Sequence, residues 1–276
     1  MALERASSPH LSLLRPSLGA ITFVMLNLVG LVAYLYPFIV ARATRPESDW
    51  FAHNTDGPLL VSVVAALCLV LVISELTEGT LNSKSLAAIG VLAAMAAALR
   101  TITLPAGANL YFFLVILTGY AFGLRVGFLV GALSFFLSAI ITAGIGPWLP
   151  FQVFASAWMG LSAGLLRPAA ERAGLGIRGQ VAILVAFGFA WGFLFGAITN
   201  LWAWPFFVSG PDVSYQPGLG IAETLRRYWN FYLLTSLGWD LLRALANAVA
   251  IAAVGAPLLR ALTRYRNRFT WERPGE

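Results

Sequence analysis

Apolar stretches long enough to cross a lipid bilayer recur along this chain, and no other feature restricts its fold as much. Runs of about 18 or more nearly uncharged residues read as membrane-spanning helices, because the hydrocarbon interior leaves backbone polar groups no partner outside the segment. Spans are expected near residues 18–40, 58–76, 84–103, 109–123, 125–143, 150–167, 180–204 and 229–260. The stretch 109–143 is too long for one crossing and would carry Arg125 at its middle. A hairpin turning at Phe122-Gly123-Leu124-Arg125 resolves both problems and gives eight spans. Composition agrees with an all-α polytopic membrane protein: 59% of residues are hydrophobic and 11% charged, too apolar for a wetted surface.

An even number of spans puts both termini on one side. Arg5, Arg15, Lys84, Arg125, Arg167, Arg172, Arg178, Arg260, Arg264, Arg266, Arg268 and Arg273 collect there, against Arg42, Arg45, Arg226 and Arg227 opposite. The positive-inside rule then places both termini in the cytoplasm, and segments 103–109, 144–150 and 204–228 outside. The net charge of +6 thus reports on lipid headgroups and topology, not on nucleic acid. Ala41-Arg42-Ala43 after the first run imitates a signal-peptide cleavage site, but the run is long for such a segment. It is read as a retained helix, with 41–57 as its outer loop carrying Glu47, Asp49 and Asp56.

Several chemistries lack their residues. The lysine Lys84 has no glycine cradle, so the chain holds no P-loop. No H-E-x-x-H occurs. Cys68 has no second cysteine, and His10 and His53 lie far apart, so no disulfide, metal site, cofactor or catalytic residue is expected.

Polar groups at membrane depth need a reason, since each charge there costs at least about 2.5 kcal/mol. Arg100 closes the third span, either snorkelling to headgroups or facing a pocket. Asp240 and Arg243, three residues apart, share a helical face with Asn247, as a structural ion pair or a polar pocket wall. Asn200, Trp202 and Trp204 close the seventh span; Gln152 and Trp158 lie early in the sixth. Arg100, Asn109, Gln152 and Asn200 gather near one membrane side, and with Tyr111, Trp148, Trp158, Trp204, Asp240, Arg243 and Asn247 they form the candidate binding set. "GIGPWLPFQ", residues 144–152, is a stiff connector or one wall of that pocket, with Trp148 offering a flat face. Small residues mark the third span, where Ala93/Ala97 and Ala94/Ala98 permit close helix approach; Gly160/Gly164 and Gly192/Gly196 repeat the spacing.

The run "KSLAAIGVLAAMAAALR" through "NLYFFLVILTGYAFGLRVGFLVGALSFFLSAIITAGIGPWLPFQ", with "GLSAGLL" and "SLGWDLLRALANAVAI", resembles the substrate-binding (S) component of energy-coupling-factor (ECF) vitamin transporters. The likeness covers about 84–268 as a six-helix core, preceded by two extra transmembrane helices in 1–83 and followed by a cytoplasmic tail, 269–276. It implies capture of a vitamin-like small molecule from outside, under the three outer loops, and no enzymatic role. It also implies docking on a transmembrane coupling subunit driven by two cytoplasmic ATPases, through Ala93, Ala94, Ala97 and Ala98. The "GPWLPFQ" and "GWDLLRA" strings are similar to members assigned to cobalamin or its precursors. Two other readings stand beside this one. A stand-alone secondary carrier would usually show inverted repeats, which the chain lacks, and a membrane-embedded transferase or hydrolase would need an acid or nucleophile that the spans do not offer.

Overall fold

The computed structural model describes residues 17–43, 56–102, 104, 109–207 and 210–269. Arg5 and Arg15, the loop with Glu47 and Asp49, cap residues 103 and 105–108, and the tail beyond 269 lie outside them. The order is α1 (Leu18–Ala43), α2 (Asp56–Thr77), α3 (Ser83–Thr101), α4 (Tyr111–Phe122), α5 (Leu124–Ile141), α6 (Leu149–Arg172), α7 (Ile177–Asn200), a 3-10 turn (Trp204–Phe206), α8 (Ile221–Thr235) and α9 (Leu237–Phe269). Seven of these, all but α4 and α8, are long and apolar enough to cross a membrane. The chain is an all-helical, multi-pass membrane protein.

The 109–143 stretch folds as the expected hairpin. α4 stops at Phe122, Gly123 takes a left-handed φ of 97°, and α5 starts at Leu124. The last span departs from expectation. Residues 229–235 belong to α8, the chain bends at Ser236 (φ −128°, ψ −28°), and α9 runs from Leu237 to Phe269. Hydropathy is continuous across the bend, which hides it. Side-chain placement is not: α8 exposes Ile221, Leu225 and Trp229 on one face and buries Phe231 and Tyr232. α8 is an amphipathic surface helix rather than the start of a span.

α4 lies at the centre, buried from Tyr111 through Ala121 and packed against α3, α5, α6, α7 and α9. In lipid, apolar side chains gain little by meeting each other, so backbone proximity and interhelical hydrogen bonds hold a bundle together. Glycines supply the proximity. A Cβ on Gly127 of α5 would stand 2.2 Å from the Gly160 carbonyl oxygen of α6, and one on Gly119 of α4 would stand 2.1 Å from the same atom. Between α7 and α9, a Cβ on Gly192 would lie 2.3 Å from Ala244 Cα. The Gly160/Gly164 and Gly192/Gly196 spacings therefore serve internal packing.

The bundle has two distinct ends. At the base, the Arg167 and Arg266 guanidinium groups from α6 and α9 both donate to the Ala121 carbonyl, at 3.2 and 2.9 Å. They satisfy and neutralise the C-terminus of α4. Buried Glu75, which the span reading passed over because it closes α2 next to polar residues, pairs there with Arg125 of α5. The Glu78 carboxylate accepts from the Gly19 N–H at 2.9 Å, which opens α1. At the opposite end, the lid end, lie the described residues of the segments 102–110, 142–148 and 201–220. α1 packs along α6 between the two: Tyr34 Oη donates to the Phe151 carbonyl at 2.6 Å, and Trp158 Nε1 donates to Asn27 Oδ1 at 2.9 Å.

Gly127→Val should cost about 3 kcal/mol or more, because two backbones would have to separate. Gly90→Ala, at an open position of α3, should be neutral or gain about 0.5 kcal/mol. Thermal unfolding of the two variants in detergent checks the contrast.

Candidate functional site

The expected binding set divides by exposure into half-buried or exposed residues and buried ones. Arg100, Asn109, Gln152 and Asn200 are half-buried and Trp148 is exposed. Tyr111, Trp204, Asp240 and Asn247 are buried.

Arg100 emerges from the last turn of α3 and reaches across to α5. Its Nη1 donates to Ser138 Oγ at 2.8 Å, and its guanidinium lies 4.0 Å over the Phe135 ring. Phe135 stacks on Phe195 of α7 with centroids 5.9 Å apart, and Arg243 of α9 lies 5.1 Å over Phe195. Phe112 of α4 meets Phe195 edge-on at 4.8 Å. One cation thus sits over each ring of an aromatic pair that joins α3, α5, α7 and α9. Each contact gains from the ring quadrupole, more so where water is thinned out. This joins Arg100 to the Asp240–Arg243 pair, which sequence spacing alone leaves apart.

The polar stripe of α9 is a packing element. Asp240 pairs with Arg243 and accepts from Tyr232 Oη of α8 at 2.9 Å. Its carboxylate occupies the space beside Gly196, where a Cβ would come within 1.7 Å of Oδ2. Arg243 Nη1 donates to the Gly192 carbonyl at 3.2 Å, and Asn247 Nδ2 to the Gly188 carbonyl at 3.3 Å. Residues one turn apart on α9 therefore bond to glycine carbonyls one turn apart on α7. The structural alternative for Asp240–Arg243 is the one the geometry displays, and the Tyr232 bond places that pair under the α8–α9 bend.

Tyr111 plays a matching part for α4, bonding the Gly131 carbonyl at 3.1 Å, Ser134 Oγ at 2.9 Å, and Ser156 Oγ. It ties α4 to α5 and α6 and is 0% exposed, so it frames the site from below. Asn109 Oδ1 accepts from the Tyr111 N–H at 3.1 Å. Asn200 Nδ2 donates to Ser236 Oγ at 2.6 Å, bridging the end of α7 to the bend. Trp158 faces α1: besides Asn27 it meets Tyr34, with centroids 5.5 Å apart. In "GIGPWLPFQ", the Trp148 ring covers Gly146, Pro147 abuts Gly57 at the start of α2, and Pro150 lies in the first turn of α6.

Over this end, residues 204–231 form a small core of their own. Trp204 is 2% exposed, donates Nε1 to the Val213 carbonyl at 2.8 Å, and meets Tyr215, Tyr228 and Phe231. Phe38 of α1 closes the cluster, 6.0 Å from Trp204 and 5.2 Å from Tyr215. Glu223 clasps Arg226 and Arg227, and those bonds hold its carboxyl down at about 2. Sequence reading finds Trp204 but misses Phe38, Phe135, Phe195 and Tyr232. An aromatic residue inside an apolar run carries no signal of its own.

Of the four α3 alanines expected to dock on a partner, Ala93 and Ala97 are buried, 3% and 0% exposed, and pack inside the bundle. Ala94 and Ala98 are exposed, in line with Ala87 and Gly90, on an outer strip that also carries exposed Val91, with Met95 at its border. Chemically, the lid end offers a guanidinium over an aromatic surface and carboxamides from three segments. That equipment suits holding a polar, planar solute. Among the described residues, no group of three or more His, Cys, Asp or Glu could hold a metal ion.

Residues 84–255 match the family model described as ECF transporter, substrate-specific component. The match spans more than half of the chain, and the chain belongs to this family, which is a transporter component rather than an enzyme family. α1 and α2 precede the matched region. No curated protein and no solved structure matches the chain.

Phe38→Ala should speed amide hydrogen exchange across 204–215 without changing exchange in α4, whereas Leu35→Ala, on the exposed face of α1, should leave both unchanged. Hydrogen-exchange mass spectrometry in detergent reads this directly. The Glu223 clasp has a depressed folded pKa, so its contribution is complete above the ordinary carboxylate range near 4.5 and is lost as pH falls toward about 2. Protease resistance of the lid should therefore be flat from about pH 8 to about pH 5 and fall only in strong acid, while Glu223→Gln lowers it throughout.

Proposed function

We propose that this chain captures a vitamin or cofactor precursor at the lid end of its bundle and delivers it through a coupling subunit powered by two separate cytoplasmic ATPases. The family match over 84–255 carries this reading. It accounts for a membrane protein with a polar, aromatic-lined end and no ATP-binding motif of its own. Cobalamin or one of its precursors is the proposed substrate class. A bulky, planar ligand suits a cover of the breadth spanned by Trp204, Phe207 and Tyr215. Both termini and the base would face the cytoplasm, as the arginine distribution favours.

The roles follow from depth. Half-buried Arg100, Asn109, Gln152 and Asn200, with Trp148 nearby, would meet the ligand. Tyr111, Trp204, Asp240, Arg243 and Asn247 would hold the frame that positions them, and Trp158 would hold α1. The outer strip of Ala87, Gly90, Ala94 and Ala98 would dock on the coupling subunit, since small residues at this spacing let a partner helix approach closely. The exposed pair Ala94 and Ala98, rather than Ala93 and Ala97, would make that contact.

Mass spectrometry of small molecules retained by the gently purified chain should reveal a vitamin-class compound bound without nucleotide. Arg100→Ala or Asn200→Ala should lower retention by about tenfold or more, as expected for losing one strong polar contact, with the melting temperature little changed. Unaltered retention in both variants would displace the ligand from this end. Ala94→Trp and Ala98→Trp should abolish co-purification with the coupling subunit and preserve ligand retention. Loss of both properties together would assign the strip to internal packing.

A further inference from the structure

The base of the bundle carries a groove that substrate capture leaves unused. Ile177, Gln180, Leu259, Arg260, Thr263 and Arg264 line a cavity of about 460 Å³ between the first turn of α7 and the C-terminal turns of α9. Arg260 and Arg264 are four residues apart, and so neighbours on one face of α9. Both are exposed, and neither has a hydrogen bond or ion pair with any described residue. Of the arginines nearby, Arg167 pairs with Glu171, and Arg266 bonds the Ala121 carbonyl and Asn267, while Arg178 and Arg268 are exposed and do not line the groove.

Two like charges one turn apart repel, and no acidic residue lines the groove to offset them. The Thr263 hydroxyl adds a third donor. Gln180 turns its amide N–H₂ away, donating to the Leu175 carbonyl at 2.8 Å. α7 opens at Ile177 with no side-chain cap, which leaves its first N–H groups and the positive end of its dipole beside the same space. Buried Leu259 and half-buried Ile177 form an apolar floor. The groove lies at the ends of two membrane-spanning helices, the depth at which lipid headgroups begin.

We propose that this groove binds the phosphate of an anionic phospholipid, held by Arg260, Arg264 and Thr263, with the start of an acyl chain against Ile177 and Leu259. Basic pockets between transmembrane helices take anionic headgroups for this reason. The phosphate bridges two unpaired guanidinium groups, and the apolar floor accepts what a free phosphate would leave bare. The site does not depend on which solute the lid end holds.

The test is native mass spectrometry of the detergent-solubilised full chain titrated with phosphatidylglycerol, phosphatidylcholine or inorganic phosphate. Phosphatidylglycerol should form a saturable one-lipid adduct that phosphatidylcholine does not match. Arg260→Gln and Arg264→Gln should each weaken the adduct about five-fold, and the double variant about thirtyfold, from about 1 kcal/mol per arginine at a membrane surface. Arg172→Gln/Arg268→Gln, which removes the same charge from exposed positions outside the groove lining, should leave the adduct in place. An equal loss in that control would reduce the effect to net charge and overturn the site. So would undiminished binding by the groove variant. Displacement of the lipid by millimolar inorganic phosphate would make this a free-phosphate site and overturn the lipid assignment.

Discussion

The glycine contacts among α4, α5 and α6 are the constraint from which the rest of the molecule follows. The Gly160 carbonyl faces Gly119 and Gly127, with room for no side chain on either. Three backbones can meet there only because all three residues are glycine. That convergence encloses α4, brings Tyr111 within reach of Ser134 and Ser156, and fixes where Phe112 and Phe135 meet Phe195. The arginines over that aromatic pair are held in turn. A looser α5–α6 contact would move Arg100 and Arg243 together, since both rest on rings whose helices it positions.

The two helices ahead of the matched region are joined to the others along their whole length. Glu75–Arg125 fastens the base, Asn27–Trp158 and Tyr34–Phe151 the middle, and Phe38 with Trp204 and Tyr215 the lid. The ion pair contributes mainly to register. The buried Glu75 carboxylate gives up hydration that the half-buried Arg125 guanidinium offsets, and it does not tolerate losing that partner. The aromatic contact at the lid has a different consequence, because it couples a rigid helix to a segment made mostly of turns.

Much of this architecture was legible beforehand. The apolar runs predicted eight spans, where seven of the described helices are long and apolar enough to cross, and a single arginine, Arg125, disclosed the α4–α5 hairpin. The amphipathic α8 was not, because Phe231 to Leu237 continues an apolar run and a hydropathy window cannot register a bend at Ser236. The charge pattern of Glu223, Arg226 and Arg227 beside Ile221, Leu225 and Trp229 was the available sign of it. Among site residues, Arg100 and Asp240 stood out because ions in lipid are costly, and both proved to be heavily bonded. The rings that support them were silent, as one phenylalanine in a span looks like another. The direction of the alanines was also hidden: Ala93 and Ala94 are equivalent on paper, and only tertiary packing decides which one points outward.

α4 has a consequence for how the chain enters a membrane. Twelve residues rise about 18 Å, well short of the roughly 30 Å of hydrocarbon that a lone span has to bridge. Its sides are covered by protein rather than lipid, and its C-terminal carbonyl is satisfied by arginines from α6 and α9, made later in the chain. Until those arrive, α4 has neither the length to anchor itself nor these partners for its C-terminal carbonyl. It is therefore suited to enter as one arm of a pair with α5, and its final depth is set only once the last helix is in place. Biogenesis of this protein is cooperative where most spans could insert one at a time.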